Sequence, residues 1–209
     1  MSVMLHRCGA GVGNLWFGLA QPPGKRFFWA GMKLQTDPKV VAQLAKQRDD
    51  ANWRFRRFLK ESDLEVEELD AIVHRHYEEV AGRIDCQACG NCCRVILPTL
   101  DEADVNRLAA GLGMTPEEIT TRHLTKDEYG DLTFNRLPCP FLVENRCSVY
   151  EHRPEVCRSY PHLHKPRFVF RLMQAVANCS ICPISFNVYE RLKEELWHRP
   201  EDRFRETYE

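Results

Sequence analysis

The chain has no excess of either charge, no long apolar run, no internal repeat and no low-complexity tract. Twenty-nine Lys and Arg stand against 30 Asp and Glu, a formal net charge of −1 over 209 residues. No global field therefore favours nucleic acid, and no broad basic block supplies a local one. No apolar stretch approaches the roughly 20 residues of a membrane helix. The signal for a secretory leader is weak as well. His6 and Arg7 are followed by a stretch, Gly11 to Ala20, that is diluted by glycines and Asn14. These absences favour a cytoplasmic, reducing compartment with no nucleic-acid partner and no membrane span. A protein partner stays open.

What is present in excess is cysteine. Apolar residues make up 44% and charged residues 28%, ordinary values for one domain with a hydrophobic core. Ten cysteines are not ordinary. Disulfides need an oxidising compartment, so without a leader the clustered thiols point to metal. Four of them fall in eight positions: Cys86, Cys89, Cys92 and Cys93. Five follow at Cys139, Cys147, Cys157, Cys179 and Cys182.

Three segments are expected. Residues 1–35 show no period and read as a disordered tail or a non-native extension, with Met32 an alternative start. Cys8 lies here and is left out of the metal set. Residues 36–82 read as a helical segment. Thr36-Asp37-Pro38 caps a helix whose stripe is Val40, Leu44, Ala51, Phe55 and Phe58. Its basic residues Lys46, Arg48, Arg54, Arg56 and Arg57 read as a solvated face, or as a surface for a partner. Ser62 to Glu65 reads as a capping box for a second helix, with Leu69, Ile72, Val73, His76 and Val80 inward. His74 and His76 are weighed as ligands but read better as packed side chains.

Residues 83–198 read as the cysteine-cluster metal-binding domain. Val95-Ile96-Leu97 is expected as a brief strand. Capping boxes at Thr99 to Glu102 and Thr115 to Glu118 open two short helices, with Gly111 and Gly113 ending the first. Asp127 to Gly130 is a turn, followed by a strand over 131–137. Glu144-Asn145-Arg146 predicts a tight hairpin that brings Cys139 near Cys147. Pro154 opens one helical turn carrying Cys157. Residues 168–177 read as a strand running into a turn or short helix. Pro183 opens a last helix with Ile184, Val188, Leu192 and Leu196 inward, and residues 199–209 read as fraying. The fold class is α+β and mostly helical, with amphipathic helices around a small irregular cysteine-rich metal-binding core with short strands.

Two thiols separated by two residues can face one ion, because the backbone turns tightly between them. Gly90 sits where that turn needs a positive φ. Cys86, Cys89 and Cys92 at period three match the first three positions of a ferredoxin run. The fourth cysteine of that run precedes proline, as Cys139 and Cys182 do here. Cys92 and Cys93, being adjacent, read as serving different centres, or with one of them packed inside. Nine thiols exceed one four-ligand site, so two sites exist or some thiols are structural. Arg94, Arg146 and Arg158 flank the thiols and read either as charge compensation or as ordinary surface residues.

The ordered set Cys86-x-x-Cys89-Gly90-x-Cys92-Cys93, Cys139-Pro140-Phe141-Leu142, Cys147-Ser148-Val149-Tyr150, Arg153-Pro154, Cys157-Arg158, Tyr160-Pro161, Cys179-x-x-Cys182-Pro183 resembles the YkgJ-type CxxCxxCC family over roughly residues 83–195. The resemblance implies a bacterial, zinc- or iron-chelating protein with no settled reaction. The cysteine pattern is also similar to that of flagellin lysine N-methylating proteins. This chain lacks a glycine-rich loop after a strand and the Cys-x-x-x-Cys-x-x-Cys spacing of radical S-adenosylmethionine enzymes.

The leading expectation is thus a metalloprotein holding either a four-iron four-sulfur cluster or Zn2+ on Cys86, Cys89, Cys92, Cys93, Cys139, Cys147, Cys157, Cys179 and Cys182. One alternative is an iron–sulfur-dependent protein-modifying enzyme, for example a lysine methyl-transfer component. In that case Tyr150, His152, His162 and His164 are candidate proton donors or ligands. The other alternative is a structural adaptor module.

Overall fold

The computed structural model describes residues 33–197. The expectations for Cys8, Met32 and residues 199–209 lie outside the described residues. From Leu34 the described residues form one unit, organised around two hydrophobic cores.

The first core is helical. Helix α1 (Pro38–Gln47) starts as expected, with the Asp37 carboxylate accepting the Lys39 N–H at 2.8 Å and Pro38 in the first turn. The single stripe expected over 38–60 is interrupted at Arg48, which leaves the helical region at φ −105° and ψ 12°. A second helix, α2 (Asp49–Glu61), begins after it. The break resets the helical phase. Val41 and Ala45 are buried in α1, Phe55 and Leu59 in α2, and Val40 faces outward.

Helix α3 (Val66–Ala81) follows without the expected capping box. Ser62 instead donates back to the Leu59 carbonyl at 3.0 Å and closes α2. Leu69, Val73, His76 and Val80 are buried, as the 3.6-residue period predicts.

These helices pack on two from the far end of the chain, α9 (Leu172–Cys179) and α10 (Pro183–Leu196). Residues 168–177 are therefore helical, a 3₁₀ turn at Phe168–Arg171 leading into α9. The strand expectation rested on a continuous apolar run, and such a run is equally a helix buried on most sides. Phe55 meets Tyr189 edge-on at 5.3 Å. The Tyr189 hydroxyl donates to the Asn52 carbonyl at 3.1 Å, and Lys193 donates to the Asn52 side chain at 2.8 Å. His76 lies in this core, 2.6 Å from the Glu195 carboxylate.

Buried Asp70 ties α3 to the loop before α9, accepting the N–H groups of Arg167 and of Phe168, the latter at 2.8 Å. Asn at this position keeps one acceptor and turns an N–H2 toward a donor. Asp70→Asn is expected to cost about 2 kcal/mol, as loss of a charge-assisted bond does. Urea denaturation checks this, and an unchanged midpoint would remove Asp70 as an anchor.

The second core is mixed. Helices α4 (Cys86–Cys89) and α5 (Cys92–Val95) are single turns. The strand expected at 95–97 does not form, since Val95 ends α5, and the first strand is β1 (Thr99–Leu100). Helix α6 (Glu102–Leu112) is capped by Asp101 with Asp104 as its box partner, because Thr99 is taken into the strand. Helix α7 (Pro116–His123) has the expected Thr115–Glu118 box. Strands β2 (Leu124–Lys126) and β3 (Leu132–Phe134) flank the Asp127–Gly130 turn. β3 is central and antiparallel to both neighbours, with Leu100 opposite Leu132 and Leu124 opposite Phe134. Leu108, Ile119, Phe134 and Phe141 fill this core.

Among the described residues no single helix is long and apolar enough to cross a membrane. The bent pair Phe168–Cys179 and Pro183–Leu196 is apolar because it is core.

Candidate metal centre

The cysteines lie along the seam between the two cores. Cys179 and Cys182 belong to the helical core, whereas Cys139 and Cys147 pack against the mixed one. Each segment that carries them is shaped by its own residues. Asp85 caps α4, accepting the N–H groups of Gln87 at 2.9 Å and Ala88 at 3.3 Å. Gly90 then reverses the chain at φ +56°. A Cβ here would stand 3.0 Å from the Asn145 carbonyl oxygen and 3.1 Å from an Arg94 nitrogen, so the turn needs glycine on steric as well as conformational grounds.

The hairpin of β4 (Leu142–Val143) and β5 (Arg146–Cys147) forms where predicted. Glu144 and Asn145 both have positive φ, 46° and 68°, as a two-residue hairpin turn requires. Its tip is stitched to the first cysteine segment. The Asn145 amide donates to the Ala88 carbonyl, and its oxygen accepts from Arg94. Arg94 also donates to the Gly90 carbonyl at 3.0 Å, and the Cys139 N–H to the Cys93 carbonyl at 2.7 Å. Helix α8 (Glu155–Ser159), bearing Cys157, is held by the Asp104 carboxylate, which accepts the Glu155 N–H at 2.8 Å. Asn91 donates to the Ile181 carbonyl at 2.7 Å and brings the Cys182 turn to the same place.

Two adjoining cavities result. The larger, about 90 Å³, is lined by Cys86, Cys92, Cys93, Cys139, Cys147 and Cys157, with apolar walls from Phe134, Phe141, Val149 and Val156. The smaller, about 20 Å³, is lined by Cys86, Cys89, Cys92 and Cys182. Eight of the nine clustered cysteines thus converge from segments almost 100 residues apart. The ninth does not. Cys179 lines neither cavity; it is buried in the helical core, its thiol donating to the Ala175 carbonyl at 3.2 Å. Cys92 and Cys93, on the single turn of α5, both line the larger cavity, and Cys92 lines the smaller one as well.

The thiols are desolvated and crowd one another. Burial pushes Cys139 and Cys182 up to about 11 and Cys157 up to about 12. Burial, then the neighbouring Cys89 and Cys93, raises Cys86. The Cys92 thiol donates to Cys93, which holds Cys92 protonated and lowers Cys93. Backbone N–H groups partly oppose the burial: those of Phe141 and Leu142 at Cys139, of Val149 at Cys147, and of Ile184 and Ser185 at Cys182. Such donors stabilise a thiolate.

Of the three arginines singled out in sequence, Arg94 lowers Cys93, while Arg158 bonds the carbonyls of Glu151 and Arg153. The cation lining the larger cavity is Arg153, stacked 3.6 Å from the Tyr150 ring and lowering Cys86 and Cys147. The sequence marks Arg153 only as the residue before a turn proline, which says nothing of where its guanidinium points. Asn145 is likewise legible as a turn residue but not as a clamp. Tyr150 lines the larger cavity; no histidine lines either. His162 pairs with Ser159 at 3.0 Å, His164 faces Tyr77, and His152 packs on Gly111.

Among the described residues no three His, Cys, Asp or Glu side chains are set around a single point that would hold an ion. The donor chemistry fits one nonetheless, since eight soft sulfurs line two small cavities with N–H groups directed at them. No curated protein and no solved structure matches the chain. Over residues 85–183, the span that holds all nine clustered cysteines, the chain matches the family model CxxCxxCC, described as a putative zinc- or iron-chelating domain.

Proposed function

We propose that this protein chelates zinc or iron through thiolates at the seam between its two cores. The observation that carries the reading is the convergence of eight cysteines, from four separate stretches of chain, on two adjoining cavities. Burying so many thiols together has little use in a folding core, where Cys179 alone suffices as a packed small residue. Bound metal supplies positive charge against the thiolates and cross-links the segments that carry them. Zn2+ and a four-iron four-sulfur cluster each take four such sulfurs. The Asn145 clamp, the Cys139–Cys93 bond and Asn91 hold the segments in place, while Phe134 and Phe141 exclude water. Iron, zinc and acid-labile sulfide analysis of anaerobically isolated protein tests this. Metal-free protein would sink it; iron with equal sulfide means a cluster, and zinc alone means a zinc site.

Metal uptake is expected to be strongly pH-dependent. With Cys139, Cys157 and Cys182 raised to about 11 or 12, these thiols are protonated at neutral pH, and each thiolate formed on binding releases a proton. Affinity therefore rises with pH and is lost on acidification. Competition against a chromophoric chelator between pH 6 and 8 should give a log affinity rising by more than about one unit per pH unit. A flat profile would mean that the thiols are not the donors.

A further inference from the structure

The eight thiols divide in a way that the family description does not state. Four line the smaller cavity: Cys86, Cys89, Cys92 and Cys182. Four line the larger cavity alone: Cys93, Cys139, Cys147 and Cys157. Cys86 and Cys92 line both cavities, and the Cys92 thiol bonds Cys93, but the chain ties of both run to the first set. Cys86 shares a one-turn helix with Cys89, and Asn91, between Cys89 and Cys92, bonds the turn that carries Cys182. The second set has its own ties, since Cys139 is bonded through its N–H to the Cys93 carbonyl and Cys147 lies in the hairpin that follows.

Outside these sets, Cys179 is occupied by its bond to Ala175.

We propose that the chain holds two four-thiolate metal centres, one on Cys86, Cys89, Cys92 and Cys182, the other on Cys93, Cys139, Cys147 and Cys157. This rests on the chelation reading above. Four-sulfur sets satisfy both metals considered there. On a helical turn, neighbouring side chains diverge by about 100°, so Cys92 and Cys93 can face one centre each. Cys179 ligates neither.

The test uses the full chain as isolated with its metal. Thiols are alkylated during stepwise removal of metal by a chelator, and each cysteine is read by mass spectrometry. Initially all eight should be protected, and they should then become reactive in two blocks of four with the membership given. Cys92 and Cys93 in one block, or only four thiols protected at the outset, would overturn the two centres and leave chelation standing. No protection at all would overturn both. Two variants add an independent reading, Cys89→Ser and Cys147→Ser. Each should retain about half the metal per chain and protection of the other set. Loss of all metal from either folded variant, or full metal in both, overturns the assignment. The stepwise measurement on unaltered protein decides the question should a variant fail to fold.

Discussion

Removing the metal should lower the unfolding temperature by roughly 8–16 °C. A ligand that binds only the folded state at about a thousand times its dissociation constant stabilises by about 4 kcal/mol. For a chain of this length each kcal/mol moves the midpoint by about 2–4 °C. The loss should not be uniform. The helical core of α1–α3 with α9 and α10 is filled by Phe55, Leu69, Val73, Val188, Leu192 and Tyr189 without help from the cavities. The seam encloses the two cavities and is held by single bonds such as Cys139 N–H to Cys93 and Asn91 to Ile181. Hydrogen exchange should therefore accelerate first across residues 86–98 and 138–160, while α3 and α10 stay protected. Cys157→Ser should do the same in part. Chelator-treated, demonstrably metal-free protein that melts at the original temperature would end the idea that metal clasps the cores.

The second large effect is expected far from any cysteine. Gly111→Ala should destabilise by about 3 kcal/mol, a fall of roughly 6–12 °C, although alanine is the better helix former by about 1 kcal/mol. An added Cβ would stand 2.2 Å from His152 Cγ and 2.6 Å from its Cβ. The Cβ of His152 moves only with its backbone, so a rotamer change cannot relieve the contact. The strain falls on the Tyr150–His152 turn, which leads directly to Arg153 at the larger cavity. Thermal melts of Gly111→Ala, of Gly111→Ala with His152→Gly, and of Gly113→Ala check this. The double variant should recover most of the loss. Gly113 has a positive φ of 65° but open space beside it, so its alanine should cost only about 1–2 kcal/mol of backbone strain. Equal effects at 111 and 113 would mean that the close approach to His152 is unimportant.

Gly111 and Gly113 both read as the helix end in sequence, and Gly113 is indeed the cap, but the helix runs through Gly111 to Leu112. A glycine that relieves a contact with a residue 41 positions later looks, locally, like any other helix breaker. The capping boxes illustrate the same limit. Thr115 and Glu118 obeyed the local pattern, since nothing else claims them. Thr99 did not, because pairing with Thr133 draws it into a strand and hands the cap to Asp101. Ser62 fails for a local reason, its hydroxyl donating back to the Leu59 carbonyl at the end of the preceding helix.

By itself the sequence determined the hairpin at Glu144-Asn145 and the αL turn at Gly90, because each depends on chemistry within a few residues, and it carries the match of residues 85–183 to a family model described as a putative zinc- or iron-chelating domain. Only the tertiary structure decided which thiols meet. Cys179 and Cys182 share one Cys-x-x-Cys, yet one points into the helical core and the other to the cavities, since the turn between two packed helices gives them different surroundings. Arg153, Asn145 and Asn91 acquired their roles in the same way. The guanidinium and the two amides act on residues, and at cavities, that come close only after the two cores have packed.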